Sequence, residues 1–292
     1  MKSPPFEYAR ATSIEEACGL MHQHGDAAKL IAGGQSLVPM MAFRLLRPSW
    51  LIDINEIAAL KFVSFETDAV RMGACTRQCV AAHDDALAAR LPLLRQALAF
   101  VGHTQTRNRG TVGGSLAHAD PSAELPLVAQ ILEARLVLRA KSGMRTLPAA
   151  EFFAGPMMTN LEPDECLEEI QWPVWRERKL GSAFTEISRR HGDFAMVAAA
   201  AQIAVDDDGR CMRATFGVGG AAPMPVAFPE LAQSLIGHRL DKTKSRAVAQ
   251  EAAAALEPDS DIHASAAYRR HLAGVLAARV LLEAYDTARS VP

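Results

Sequence analysis

The sequence lacks the features that mark membrane, secreted and nucleic-acid-binding proteins. It contains no apolar run of about 18 residues, so no membrane span is expected. Its first residues, Met1-Lys-Ser-Pro-Pro-Phe6, do not form the apolar core of a signal peptide. The formal net charge of −2 gives no basic surface for nucleic acid. With 49% hydrophobic and 22% charged residues, the composition is that of a soluble globular protein. Without a span or a signal peptide, the protein is expected to be cytoplasmic.

Cysteine is sparse and its spacing excludes the usual cysteine-based sites. The five cysteines are Cys18, Cys75, Cys79, Cys166 and Cys211. Their odd number and wide scatter do not fit a disulfide framework. Cys75 and Cys79 lie four residues apart, but no second pair completes a metal or iron–sulfur ligand set. The sequence therefore predicts no metal in this chain.

The common nucleotide-binding and hydrolase motifs are also missing. The sequence has no G-x-G-x-x-G of a Rossmann unit and no G-x-x-x-x-G-K-[ST] of a P-loop. Neither Ser36 nor Ser115 lies in the G-x-S-x-G turn of a hydrolase. Any nucleotide site must therefore use a different scaffold.

Two glycine-rich segments are the most informative features that the sequence does have. One is Lys29-Leu-Ile-Ala-Gly-Gly-Gln-Ser36 and the other is Arg109-Gly-Thr-Val-Gly-Gly-Ser115. Each places two adjacent glycines and a hydroxyl after a hydrophobic stretch. Glycine lets a ligand approach the backbone, whose N–H groups and a nearby hydroxyl can then bind a diphosphate. Two such segments in one chain suggest a single extended ligand held from two sides.

Hydrophobic periodicity and turn signals predict a mixed order of elements. Ser13 and Glu16 have the spacing of a capping box at the start of a first helix. Residues 84 to 100 show helical spacing of leucines, with Pro92 as a kink or a boundary. Asp206-Asp-Asp-Gly209 between two apolar runs predicts a hairpin, and the chain beyond residue 241 is helical. The prediction is an α+β fold, with strands expected over 28–32, 50–54, 69–74, 134–140, 167–172, 196–205 and 211–218.

At this point the sequence resembles a known family. Ala32-Gly-Gly-Gln-Ser36 and Thr111-Val-Gly-Gly-Ser115 resemble the two FAD-pyrophosphate loops in the medium subunit of molybdenum hydroxylases, which include xanthine dehydrogenase and aerobic carbon monoxide dehydrogenase. Arg189-Arg-His-Gly-Asp-Phe-Ala195 resembles the start of the family's C-terminal domain, and residues 261–272 resemble its last helix. The resemblance runs nearly from end to end.

The resemblance implies a fold with three parts. Residues 1–56 and 57–175 would form a two-part FAD-binding region of the vanillyl-alcohol-oxidase type. Residues 176–292 would form a C-terminal domain of antiparallel sheet plus helices. Noncovalent FAD would lie extended in the cleft between the parts of the FAD-binding region.

The same resemblance implies which residues bind FAD. Glu124 matches a position usually held by Asp, and Thr185 stands where animal xanthine dehydrogenases have a Lys that approaches the flavin. The physiological acceptor therefore stays open between NAD, a quinone, a carrier protein and oxygen. The implied contacts are Lys29, Leu30, Ile31, Ala32, Gly33, Gly34, Gln35, Ser36, Leu37, Val101, Thr111, Gly113, Gly114, Ser115, Glu124, Leu167, Asp193 and Phe194.

The implied function is electron transfer within a larger enzyme. The chain would be a flavoprotein oxidoreductase subunit that passes electrons from [2Fe-2S] clusters of a partner, via FAD, to an external acceptor. Molybdopterin and two [2Fe-2S] clusters would belong to a large and a small partner subunit, in a dimer of heterotrimers. No catalytic acid, base or nucleophile is assigned. Two alternatives are a self-sufficient flavin oxidoreductase acting on a small substrate and a non-redox nucleotide-binding scaffold.

Overall fold

The N-terminal region is built on a three-stranded parallel sheet. A computed structural model describes residues 2–291. The Ser13 hydroxyl accepts from the Glu16 amide at 3.1 Å, and the Glu16 carboxylate accepts from the Thr12 amide at 2.8 Å, so a cap begins the first helix. The elements are β1 (Glu7–Arg10), α1 (Ile14–His24), β2 (Ala28–Ile31), α2 (Leu37–Ala42) and β3 (Trp50–Asp53), with strand order β1-β3-β2.

A five-stranded antiparallel sheet and a group of short helices follow. The sheet order is β4-β5-β10-β6-β7, and β8 pairs with β9 in a separate small hairpin. The strands are β4 (Val63–Phe65), β5 (Ala69–Gly73), β6 (Arg135–Ala140), β7 (Gly143–Pro148), β8 (Phe153–Gly155), β9 (Met158–Thr159) and β10 (Cys166–Pro173). The helices are α3 (Gln78–His83), α4 (Asp85–Arg90), α5 (Pro92–Leu98), α6 (Thr104–Arg109), α7 (Val112–His118), α8 (Glu124–Ile131) and α9 (Ala149–Phe152).

Pro92 marks a boundary between two helices. The predicted helix over residues 84 to 100 is divided into α4 and α5, with Pro92 as the first residue of α5. Proline has no N–H to donate, so it is tolerated at the start of a helix but not within one. Asp84 begins α4 by accepting from the Leu87 amide at 2.9 Å.

The C-terminal region is an antiparallel sheet covered by helices. The hairpin predicted at Asp206–Gly209 joins β12 to β13, and Gly209 has a φ of +74° there. Every residue of β12 is buried, because α8 packs on one side of the sheet and α12 on the other. The elements are β11 (Leu180–Ile187), β12 (Val197–Val205), β13 (Cys211–Gly219), β14 (Val226–Ala227), α10 (Pro229–Gln233), α11 (Lys242–Ala254) and α12 (Ala266–Ser290).

The three regions share hydrophobic cores across their borders. Cys18 of α1 packs in one cluster with Cys75 and Cys166 of the middle region. Phe184 and Ala198 of the C-terminal sheet pack in the core of the middle region. Each of the three main sheets lies within one of the predicted domains. The domain boundaries themselves, after residues 56 and 175, stay a prediction. Among residues 2–291, no helix is long and apolar enough to span a membrane.

Candidate functional site

The two glycine-rich segments meet in the folded chain. Gly33 follows β2, and its Cα lies against the carbonyl oxygen of Arg109 and the Cα of Gly110. A Cβ on Gly33 would lie 2.8 Å from that Cα, closer than real Cβ contacts allow. The close approach of these two backbones therefore requires glycine at position 33.

The first segment presents a row of backbone amides without acceptors. Across the described residues, none of the N–H groups of residues 33 to 37 donates to a protein group. The carbonyls in this segment do have partners. The Gly33 carbonyl accepts from the Gln35 side chain at 3.2 Å, and the Gly34 carbonyl accepts from the Val38 amide at 3.1 Å. Gly34 has a φ of +70°, the backbone conformation that favours glycine in such anion-binding concavities.

Residues 33 to 35 of this row line an open cleft of about 560 Å³. The cleft brings the first segment together with the end of β3 and with Arg109 of the second segment. Its lining residues are Ile31, Ala32, Gly33, Gly34, Gln35, Val38, Pro39, Asp53, Asn55 and Arg109. The lining thus combines polar backbone, the polar side chains of Gln35, Asp53, Asn55 and Arg109, and a few apolar side chains.

Most amides of the second segment are engaged within the protein. Thr111 begins α7 by accepting from the Gly114 amide at 3.0 Å, and the Gly113 amide donates to the Ala74 carbonyl at 2.9 Å. A Cβ on Gly113 would lie 2.5 Å from the Cβ of Ala74, so this glycine allows close packing of α7 on the chain after β5. The half-exposed Ser115 is the remaining hydroxyl of the segment. This segment therefore differs from the first, because its glycines serve mainly to pack the helix.

A second group of predicted residues lies where the C-terminal region meets the middle region. Val101 and Leu167 are buried in the same hydrophobic cluster. Asp193 and Phe194 are exposed on the loop between β11 and β12, and Phe194 is 62% exposed. That loop contacts the chain after Val101, since a Cβ on Gly192 would lie 2.5 Å from the His103 ring.

Glu124 and Glu186 place two buried carboxyl groups at this junction. Within the described part of the chain, no other residue donates a hydrogen bond to Glu124, and Glu186 Oε2 is buried without a donor. Burial raises the pKa of Glu124 to about 7, and the nearby Asp120 adds to the effect. Burial and the charge of Glu124 raise the pKa of Glu186 to about 8. The pair therefore favours protonated carboxyl groups near neutral pH.

Comparison with known proteins gives the family. A family model described as "FAD binding domain in molybdopterin dehydrogenase" matches residues 4–175, and one described as "CO dehydrogenase flavoprotein C-terminal domain" matches residues 182–284. The chain belongs to the FAD-binding medium subunits of molybdenum hydroxylases. The resemblance, the fold class and the FAD cofactor expected from the sequence are thereby confirmed.

Individual relatives are similar to this medium subunit over nearly its whole length. The 6-hydroxypseudooxynicotine dehydrogenase complex subunit alpha of Paenarthrobacter nicotinovorans is 38% identical, covering 99% of this chain and 97% of its own. The solved carbon monoxide dehydrogenase of Hydrogenophaga pseudoflava has a TM-score of 0.95 at 36% identity, covering 98% of this chain and 99% of its own. Quinoline 2-oxidoreductase of Pseudomonas putida 86 has a TM-score of 0.94 at 36% identity, covering 99% of this chain and 100% of its own.

The residues present fit the diphosphate of FAD. An anion with several oxygens requires several donors, and the cleft offers the free amides of residues 33 to 35 beside Arg109. Asp53 is the one carboxylate in the lining, and its oxygens already accept from Tyr8 and Asn55. Burial alone would raise the pKa of Asp53, but these hydrogen bonds outweigh it and hold the pKa below its ordinary value.

Several residues of the site were not predicted from the sequence, among them Val38, Pro39 and Asp53 in the lining of the cleft. Asn55 and Arg77 connect the two glycine segments, and Glu186 faces Glu124. Asn55 follows a strand at a position typical of a turn, which gave a weak signal for its hydrogen bonds. Nothing local marks Arg77 or Glu186, because their partners come from other elements.

The carboxyl pair predicts a pH dependence of stability. A folded carboxyl group whose pKa is raised loses stability as the pH rises from its ordinary range, near 4.5, through the folded value. Replacing Glu186 by Gln removes this loss, so we expect Glu186→Gln to raise the melting temperature at pH 9 and to leave it unchanged at pH 4. The measurement is thermal unfolding of the purified chain between those limits. Glu251→Gln, at an exposed position of α11, is the matched control. Equal stability of Glu186→Gln and wild type across the range would contradict the assignment.

Proposed function

We propose that FAD lies extended along the line that joins the two groups of residues. The backbone amides of residues 33 to 37 would hold its diphosphate, and residues 111 to 115 would close the site from the other side. Lys29, Leu30, Ile31 and Ala32 lead the chain to these amides along β2. The observation that carries the proposal is the row of amides without protein acceptors beside the second glycine segment.

The isoalloxazine ring would lie toward the junction with the C-terminal region. Val101 and Leu167 offer apolar surface there, Glu124 offers a carboxyl group, and Asp193 and Phe194 stand on the adjoining loop. These side chains come from both the middle and the C-terminal regions. We infer that the C-terminal region completes the ring end of the site.

The chain acts by binding and tuning its cofactor. Bound FAD supplies the redox chemistry, which links one-electron donors to a final acceptor. The side chains of the chain set the shape, the electrostatics and the water exposure of the site. Substrate hydroxylation belongs to the molybdenum cofactor of a partner subunit, in keeping with the family. The five cysteines of this chain are free, and the described residues include no cluster that could hold a metal.

A partner surface is expected close to the cleft. Val38, Phe43 and Leu45 are large apolar side chains on and just after α2, and Phe43 and Leu45 are 67% and 71% exposed. Exposed apolar groups of this kind are typical of protein interfaces. We propose that the chain joins a large molybdopterin subunit and a small iron–sulfur subunit, in the cytoplasm.

The complete assembly is expected to be a dimer of heterotrimers. Affinity purification of the tagged chain from its native host should retain two further subunits, and the native mass of the eluted complex should equal twice the sum of the three chains. Mass photometry measures this directly. A mass equal to a single heterotrimer would contradict the dimeric arrangement and leave the subunit composition intact.

The proposed diphosphate site predicts a sharp effect at Gly33. In Gly33→Ala the new Cβ collides with the backbone at Arg109 and Gly110, so the two segments must separate. We expect the Kd for FAD to rise at least about 10-fold, which corresponds to about 1.4 kcal/mol. The measurement is titration of FAD with the apoprotein, followed by the change in flavin fluorescence on binding. Gly155→Ala is the control, because its Cβ meets only ordinary contacts with Met158. A wild-type chain that retains no FAD after gel filtration out of excess FAD would contradict the proposed function.

The ring end of the site predicts an effect at Phe194. This side chain is 62% exposed, so truncation to Ala should cost little folding stability. Water at the vacated place stabilises a charged reduced ring better than an apolar group does. We expect Phe194→Ala to raise the flavin midpoint potential by about 30 mV, or about 1.4 kcal/mol for a two-electron couple. Met212→Ala, on β13 and 55% exposed, is the control. A potential and turnover equal to wild type would place Phe194 away from the ring.

A further inference from the structure

Two side chains, those of Asn55 and Arg77, connect the glycine segments beside the cleft. The Asn55 amide nitrogen donates to the Ala32 carbonyl at 2.7 Å. The Asn55 side-chain oxygen accepts from Arg77 Nη2 at 2.6 Å, and Arg77 Nη1 donates to the Arg109 carbonyl. One continuous chain of hydrogen bonds therefore runs from the carbonyl before Gly33 to the carbonyl before Gly110. We call this chain the Asn55–Arg77 brace.

The orientation of Asn55 in the brace is fixed by a carboxylate. Asp53 Oδ1 accepts from the Asn55 side-chain nitrogen at 2.6 Å and from its backbone amide at 2.8 Å. The Tyr8 hydroxyl donates to Asp53 Oδ2 at 2.5 Å and holds that carboxylate in place. The nitrogen of the Asn55 amide thus faces two acceptors, and its oxygen faces a guanidinium. A flipped amide would face like groups on both sides, so only one orientation satisfies the network.

The brace determines where the first amide of the segment, that of Gly33, points. The peptide group between Ala32 and Gly33 is planar and trans, so its N–H points opposite to its carbonyl. Because Asn55 holds the Ala32 carbonyl, the Gly33 N–H points away from Asn55. The bonded carbonyls of Gly33 and Gly34 fix the next two peptide groups in the same way. The directions of these free amides are therefore fixed by the hydrogen bonds that the preceding carbonyls accept.

The hydrogen bonds of the Asn55 side chain all go to protein groups. Both hydrogens of its amide donate to protein acceptors, and its oxygen accepts from Arg77. Arg77 is half-buried and bonds a side-chain oxygen and a backbone carbonyl, and no carboxylate of the described residues forms an ion pair with it. Both residues therefore act on a ligand through the backbone that they position.

We propose that Asn55 and Arg77 are positioning residues for the diphosphate of FAD. The inference rests on the proposed function, since it assigns the orientation of the same amides to the brace. Affinity for FAD is then set by two side chains whose hydrogen bonds all go to the protein. The brace acts as a unit, because loss of either member disconnects the Ala32 carbonyl from the Arg109 carbonyl.

The test compares FAD and ADP binding in four variants of the full apoprotein. Asn55→Ser and Arg77→Met each remove hydrogen bonds of the brace, and the double variant removes those of both residues. Arg77→Lys keeps the positive charge but cannot form the two-pronged contact of a guanidinium. We expect the Kd for both FAD and ADP to rise about 10-fold to 100-fold in each single variant, including Arg77→Lys. The double variant should be no more than about 3-fold weaker than the weaker single variant, because the members act together.

The controls separate positioning from charge and from general damage. Arg71→Met removes a guanidinium bonded to Glu169 at 2.7 and 2.5 Å in the middle sheet, away from both glycine segments. It should bind FAD as wild type does. The absorption bands of bound flavin and the melting temperatures of the apoproteins should stay at wild-type values in the Asn55 and Arg77 variants.

Four results would overturn the proposal. Wild-type affinity in Asn55→Ser would show that the brace has no effect on binding. Recovery of wild-type affinity in Arg77→Lys would show that charge alone matters at position 77. Strictly additive losses in the double variant would show that the two residues act independently and not as one brace. Loss of FAD affinity with unchanged ADP affinity would place the effect at the ring instead of the diphosphate. Failure of the wild-type chain to bind FAD is a separate outcome, and it contradicts the proposed function itself.

Discussion

The direct contact between the Gly33 backbone and the backbone of Arg109 and Gly110 is the constraint on which the cofactor site depends. It joins the end of β2 in the N-terminal region to the turn between α6 and α7 in the middle region. Without a Cβ at position 33, two stretches of backbone approach closely enough for amides and an arginine to line one cleft. Any side chain there would separate the two halves of the FAD-binding region at the place where they must meet.

The rest of the site follows from how that contact is supported. Gly113 packs against Ala74, so α7 lies close to the chain that follows β5. The same chain supplies Arg77, whose guanidinium reaches the Arg109 carbonyl. Asp53 and Asn55 come from the end of β3, the central strand of the N-terminal sheet. The helix α7, the chain after β5 and the end of β3 thus support the peptide groups that precede Gly33 and Gly110. This support gives the proposed anion site a rigid geometry although it lies on loops.

The sequence predicted what depends on local patterns and missed what depends on tertiary contacts. Glycine pairs, the cap at Ser13, the break at Pro92 and the hairpin at Asp206–Gly209 are all short-range signals, and the structure has each of them. The predicted α+β order was also correct because alternation and helical spacing are local properties.

The missed residues share one physical cause. Arg77 and Glu186 acquire their roles from partners on other elements, which no spacing in the sequence reveals. The second glycine segment shows the same limit. Its composition predicted free amides, yet Gly113 and Gly114 donate within the protein because α7 begins there. A glycine pair indicates close approach of backbone, but the approaching group can be protein or ligand.

The two ends of the site differ in what the sequence can say about them. The proposed diphosphate end is made of backbone, so its chemistry depends on glycines and on the path of the chain, both visible as a motif. The proposed ring end is made of side chains from two regions, among them Glu124, Glu186 and Phe194. Those side chains lie far apart in the sequence and come together only because the C-terminal sheet packs on the middle region. A short motif can therefore reveal the first end, whereas the second end becomes visible only in the folded chain.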